Sequence, residues 1–158
     1  MIVRLTELDT YEIAWAAADR CAYKRNAGVS NNKRVDQIRD DFQITREGLS
    51  GEWAVAKVLG LPVNTENYLG GDPGWDFEYF GIKIDVKTSR ARYLLFRDLK
   101  LFKADYAIYA KYLNEYQVDL MGFVTREEFI QKHSKVNLGY GIHHVMDGNE
   151  LNDIREML

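Results

Sequence analysis

The stretch "GWDFEYFGIKIDVKTSR", residues 74–90, decides the fold. It reads as two short strands joined by a two-residue turn at Phe80–Gly81, with glycine supplying the backbone freedom such a turn needs. That turn sets Phe77 opposite Ile84, Glu78 opposite Lys83, Tyr79 opposite Ile82, and Asp76 opposite Asp85. Side chains alternate along a strand. One face therefore carries Trp75, Phe77, Tyr79, Ile82, Ile84 and Val86, and the other carries Asp76, Glu78, Lys83, Asp85 and Lys87. The alternation is clean on both strands, and a slip of one residue would turn the whole apolar set outward.

The polar face poses a charge problem. Glu78 opposite Lys83 is an ordinary cross-strand ion pair, but Asp76 opposite Asp85 is not. Like charges facing each other cost a few tenths to ~1 kcal/mol. Lys87, one pleat along, offsets part of that. A divalent cation offsets more, because hard Mg²⁺ seeks carboxylate oxygens. From the hairpin alone, a solvated face on which the two aspartates point apart is the alternative.

Outward from the hairpin, "DTYEIAWAAADRCAYKRNAG" predicts a first helix, with Ile13, Ala16, Ala17 and Cys21 near helical spacing and Gly28 as its end. "GVSNNKRVDQ" reads as a polar loop. "TREGLSGEWAVAKVLG" predicts a second helix, capped by Thr45 and stopped by Gly60. After the hairpin come a helical or irregular turn near 97–104, strands in "DYAIYAKYL" and "YQVDLMGFVT", a short helix in "REEFIQKHS" and a last strand in "YGIHHVM". This order predicts one α/β domain over residues 1–158, a central mixed β-sheet flanked by helices.

Composition narrows the function. Hydrophobic residues at 46% and charged residues at 28% give a globular chain rather than a disordered one. No apolar run approaches the ~18–20 residues of a membrane span, and charges come too early for a signal peptide. One cysteine, Cys21, permits no internal disulfide and fits a reducing, cytoplasmic compartment. Three histidines give no Cys/His metal cluster. His143 and His144 are neighbours, face opposite ways on a strand, and read as surface or capping residues. No phosphate-binding glycine motif is present.

The net charge of −3 conceals two basic segments. One holds Arg20, Lys24, Arg25, Lys33, Arg34 and Arg39 against Asp36. The other runs from Lys83 to Lys103 and includes Lys87, Arg90, Arg92, Arg97 and Lys100 against Asp85 and Asp98. Polyanion binding follows local potential, so Lys24, Arg25, Arg90, Arg92, Arg97 and Lys100 are candidate nucleic-acid contacts. Solvated charged faces are the competing account. Tyr93 and Phe96 lie among these arginines, where loop packing competes with base stacking.

An Asp in one strand followed by Asp-x-Lys in the next, Asp76…Asp85-Val86-Lys87, resembles the PD-(D/E)XK nuclease superfamily, the restriction-endonuclease-like fold. Its members commonly carry a glutamate on a helix before the hairpin, and "GLSGEWAVAKVLG" supplies Glu52. At ~100° per residue Glu52 falls within the apolar arc of Leu49, Val55, Ala56 and Leu59, with Trp53 and Lys57 outside it. Glu47 lies nearer the edge of that arc and is the second candidate. The resemblance covers residues 44–90. "MGFVTREEFI" and "YGIHHVM" also look like the tail of small phage or bacterial members. Asp76 is preceded by Trp75 rather than by the motif's proline.

The resemblance implies a Mg²⁺-dependent DNA nuclease, with Mn²⁺ able to substitute, in the cytoplasm of a bacterial or phage-infected cell. Asp76, Asp85, the Val86 carbonyl and Glu52 would hold metal. Lys87 would orient water and stabilise developing charge. A homodimer is compatible with this reading. The alternative is a module of the same fold that binds nucleic acid or protein without cleaving.

Overall fold

A computed structural model of the chain describes residues 1–28, 40–67, 73–139 and 141–158. Most of the polar loop read at 28–37, together with Lys33, Arg34 and Arg39, lies outside the described residues.

Two long helices come first, after a short strand β1 (Ile2–Arg4). Helix α1 (Glu7–Asn26) begins at a capping box in which Thr6 accepts from the Asp9 N–H and Asp9 from the Thr6 N–H. It stops at Asn26, two residues before Gly28. Helix α2 (Asp41–Leu59) begins five residues earlier than expected. Asp40, in a reciprocal box with Gln43, is its cap, and Thr45 sits inside the helix. It ends where expected, at Gly60 in the left-handed conformation (φ 68°).

The hairpin forms with the expected register. Strands β2 (Phe77–Tyr79) and β3 (Ile82–Ser89) pair Phe77 with Ile84, Glu78 with Lys83 and Tyr79 with Ile82. Phe80 and Gly81 both have positive φ, 48° and 80°, as a mirror-image hairpin turn demands. Phe80 is 89% exposed there, in a conformation that costs a side-chain-bearing residue about 1 kcal/mol.

β3 then runs parallel to β5 (Tyr106–Asn114), which pairs antiparallel with β6 (Gln117–Thr125), and β6 with β1. The result is a five-stranded mixed sheet in the order β1-β6-β5-β3-β2. Helices α1 and α2 cover one face, with Ile84, Val86, Ile108 and Leu120 of the sheet meeting Leu49, Val55 and Leu59 of α2.

The other face is not flanked by long helices. A second sheet, β4 (Tyr93–Phe96), β7 (Ser134–Asn137) and β8 (Ile142–Asp147) in the order β4-β8-β7, contributes to a separate core there with the short helix α3 (Arg126–Lys132). Phe96 stacks on Phe102 with centroids 4.6 Å apart, and Phe129 of α3 meets both rings edge-on. Phe96 is thus a buried strand residue, not a loop aromatic. The 97–104 turn is a single 3-10 turn, Leu99–Leu101.

The second layer covers part of the hairpin's polar face: Glu78 stays exposed and Asp85 does not. Asp85 is 5% exposed. Trp75, expected beside Phe77, packs instead into the second core with Lys83 Nζ 4.1 Å from its ring centroid. The cause is a break in the ladder. The Asp76 N–H donates to the Ile84 carbonyl, on the residue already paired with Phe77, and so the alternation is lost between Trp75 and Phe77.

Candidate active site

The break at Asp76 shapes the site. In a continued ladder the Val86 N–H would meet the Trp75 backbone. The Asp76 carboxylate accepts it instead, at 2.6 Å, and so extends the ladder with a side chain. Covalent geometry then places that oxygen within about 5 Å of the Asp85 Cα. Asp76 and Asp85 are neighbours, but Asp76 lies beyond the paired ladder of β2 and β3.

Asp85 has its own cation. The Lys87 ammonium lies 2.7 Å from each of its carboxylate oxygens. The two residues are two apart on β3 and share a face, as alternation requires. The Phe96 ring, with its centroid 5.5 Å from Lys87 Nζ, and Tyr109, beside Lys87 in the parallel pair, bound the ammonium. Burial pushes the Tyr109 hydroxyl pKa up, against a partial lowering by Ser89. That hydroxyl also donates to the Ala91 carbonyl, which fastens the chain leaving β3. Lys87 remains 40% exposed and has room to turn.

Strand geometry decides where the Val86 carbonyl points. The Lys83 carbonyl accepts from Asp105, at the start of β5, so odd-numbered residues of β3 direct their backbone toward β5. Val86 directs its N–H the other way, to Asp76, and a strand residue's N–H and C=O share a side. The carbonyl therefore faces the same open edge as Asp76.

Glu52 and Asp76 line one cleft with Arg20, Tyr23, Lys24 and Trp75. Arg20 approaches Glu52 at 3.7 Å. The helix carrying Glu52 is seated closely. A Cβ on Gly51 would stand 2.0 Å from Thr88 Oγ1, so only glycine lets α2 approach β3 this far.

The two glutamates reverse their expected order of burial, although both side chains are largely covered, Glu52 at 14% exposure. Glu47 is the buried one, at 5% exposure, and accepts from Arg90 Nε and Nη2 at 3.1 and 2.6 Å. Glu52 is half-buried, and Trp53, expected outside the apolar arc, is core. The reason is that α2 is packed on two sides, by the sheet and by α1, so no single arc describes it.

The basic candidates separate. Lys24 joins Glu52 and Asp76 in the cleft. Arg25 is exposed on the last turn of α1. Arg90 is bound to Glu47 and stands over Tyr112, and Arg92 is bound to Asp147. Backbone donation from Asn149, aided by Arg92, holds the Asp147 carboxyl below its usual range. Arg97 and Lys100 are exposed beyond β4. Arg20 and Tyr23 were not singled out from sequence. Their spacing from Lys24 (positions 20, 23 and 24, one face of a helix) is the signal that marks them.

His143 is buried rather than a surface residue, with Nδ1 against the Gly141 carbonyl. His144 points the other way, edge-on to His133 at 4.7 Å.

Among the described residues, no three His, Cys, Asp or Glu side chains form a cluster able to hold a metal ion. The nearest oxygen donors are fewer: Asp76, held on the Val86 N–H, Asp85 next to it along β3, and the Val86 carbonyl at the same edge as Asp76. They fit a hard divalent ion in kind, and the Lys87 ammonium already stands as a cation against Asp85.

No protein-family model matches the chain, and neither the curated proteins nor the solved structures yield a match.

Proposed function

We propose that this chain is a metal-dependent nuclease that hydrolyses phosphodiester bonds in DNA, with a core of the restriction-endonuclease-like kind. The observation that carries this reading is that Asp76 is held on the Val86 N–H, one residue along β3 from Asp85, whose carboxylate carries the Lys87 ammonium. The order of helix α2, hairpin and parallel strand β5 supports it, as does the shared cleft of Glu52 and Asp76.

In this reading Asp76, Asp85 and the Val86 carbonyl would hold Mg²⁺ or Mn²⁺. When bound, such an ion neutralises phosphate charge and acidifies water. Asp76 is kept in place by the Val86 N–H. Lys87 would turn its ammonium from Asp85 toward the phosphate, an electrostatic role. Glu52 closes the set from the α2 side of the cleft. Arg20 and Lys24 line the path along which a phosphate backbone approaches. Arg97 and Lys100 add exposed positive charge.

A second reading, a module of the same fold that binds without cleaving, is favoured by one observation. Lys87 and the Val86 N–H already engage both aspartates within the protein. Plasmid, linear duplex, single-stranded DNA and RNA, each incubated with and without Mn²⁺, separate the two. Cleavage of DNA that requires the ion and fails in Asp85→Asn supports the nuclease. Binding without cleavage in every condition supports the module.

A further inference from the structure

Helix α1 is buried on one side only. Ile13, Ala16 and Ala17 pack in the core. On the opposite side Leu8, Tyr11, Trp15, Ala18, Ala22 and Arg25 are all exposed, and their spacing alternates three and four residues over the whole helix. That is the seam spacing of a coiled coil, sustained on a face that is exposed among the described residues. Leu8, Tyr11 and Trp15 are 65%, 70% and 64% exposed. Together they present on the order of 400–500 Å² of largely apolar surface, the upper end of what a monomer leaves bare.

We infer that this face is a self-association surface, on which α1 packs antiparallel against α1 of a second copy. Two features of the stripe argue for a second copy. The first is size. All the large residues lie in the N-terminal half of the stripe and the small ones in the C-terminal half. A two-fold axis through the middle of the helix sets Trp15 against Ala18, Tyr11 against Ala22 and Leu8 against Arg25. Each bulky side chain then meets a small one or a long aliphatic stem. The second is charge. Glu7 and Glu12 flank the bulky end, and Arg25 closes the small end, with Lys24 beside it. An antiparallel pair brings Arg25 to Glu7 and Glu12 of the second copy and aligns the helix dipoles favourably. A parallel pair would set Trp15 on Trp15 and like charge on like.

With both copies counted, the stripe approaches the roughly 1,000 Å² that a specific interface needs. Tyr11 and Trp15 border a hollow shared with Trp53, Val63 and Thr65, and none of the stripe residues lines the Glu52–Asp76 cleft. This inference stands whether or not the chain cleaves nucleic acid.

Sedimentation equilibrium of the full chain tests it. The parent should be a reversible dimer at tens of micromolar. Trp15→Glu should weaken dimerisation by roughly thirty-fold or more without changing the circular dichroism spectrum. Arg25→Glu should also weaken it, and adding Glu12→Lys should restore it. In a Cys21→Ser background, a mixture of Leu8→Cys and Arg25→Cys chains should form the mixed disulfide and neither like-with-like product. A parent that is monomeric at all concentrations overturns the inference and leaves the stripe to a different protein. A dimer that survives Trp15→Glu, or like-with-like disulfides, overturns it as well.

Discussion

The Lys87 ammonium lies 2.7 Å from both carboxylate oxygens of Asp85, on the partly covered face of the hairpin. Asp85 is 5% exposed and Lys87 40% exposed, so one partner needs the other more. Removing the lysine leaves a buried carboxylate without its cation. Removing the aspartate leaves an ammonium that can turn to water.

The first prediction follows from that asymmetry. Without metal, Lys87→Met should destabilise the fold by about 1–3 kcal/mol, less than a fully buried pair because the lysine is partly solvated. Asp85→Asn should cost less. Mn²⁺ should then raise the thermal midpoint of Lys87→Met more than that of the parent, since the ion no longer displaces an ammonium. Equal shifts in the two proteins, or none, would remove the case for a cation site at Asp85.

Glu47 and Glu52 should differ in kind. Glu47→Gln loosens the buried hold on Arg90 and should lower stability by about 1–3 kcal/mol in urea. Glu52→Gln should unfold at nearly the parental urea concentration while reducing cleavage strongly. A silent Glu47→Gln would mean that the Glu47–Arg90 pair does not hold in solution.

Gly51→Ala places a Cβ 2.0 Å from Thr88 Oγ1 and 3.1 Å from Ala110 Cβ. The expected cost is about 1–3 kcal/mol of overpacking. Adding Thr88→Ala should recover part of it, since the hydroxyl is the nearest atom and the remaining contacts are at 3.1 Å. An unperturbed single variant would show that α2 does not sit this close to β3.

His144 should make stability depend on pH. Burial lowers its pKa from 6.5, and His133, Lys135 and His143 lower it further, against a smaller opposing pull from Asp98. A folded-state pKa below the unfolded one stabilises the protein above about pH 6.5, and that stability is lost as pH falls through the folded value. The urea midpoint should therefore decline as pH falls from 7 to 5, and His144→Gln should flatten the decline. An NMR titration placing His144 above 6.5 would reverse the sign.

The hairpin was legible in the sequence because two signals agreed, a glycine turn and strict alternation on both strands. Trp75 was misplaced because alternation cannot report the broken ladder at Asp76. Glu47 lies deeper than expected because a single apolar arc assumes one buried side, and α2 has two. The strands β1 and β7, of three and four residues, carry no turn signal of their own. Strand β4 was hidden by the arginines around it, and its partner β8 lies some fifty residues on, so its pairing is a tertiary outcome. That unseen second layer is what buries Asp85 and gives the Asp85–Lys87 pair its consequence.

The most direct measurement of the central claim is DNA cleavage by Lys87→Ala alongside the parent in Mn²⁺, with metal and DNA affinity determined on the same proteins. The account predicts a rate lower by ~10²–10³-fold, the usual loss for one electrostatic stabiliser. DNA affinity should hold, and Mn²⁺ affinity should be equal to the parent's or higher. A Lys87→Ala protein that cleaves at the parental rate would contradict it, and the Asp85–Lys87 pair would then be a structural contact of a protein that acts elsewhere on its surface.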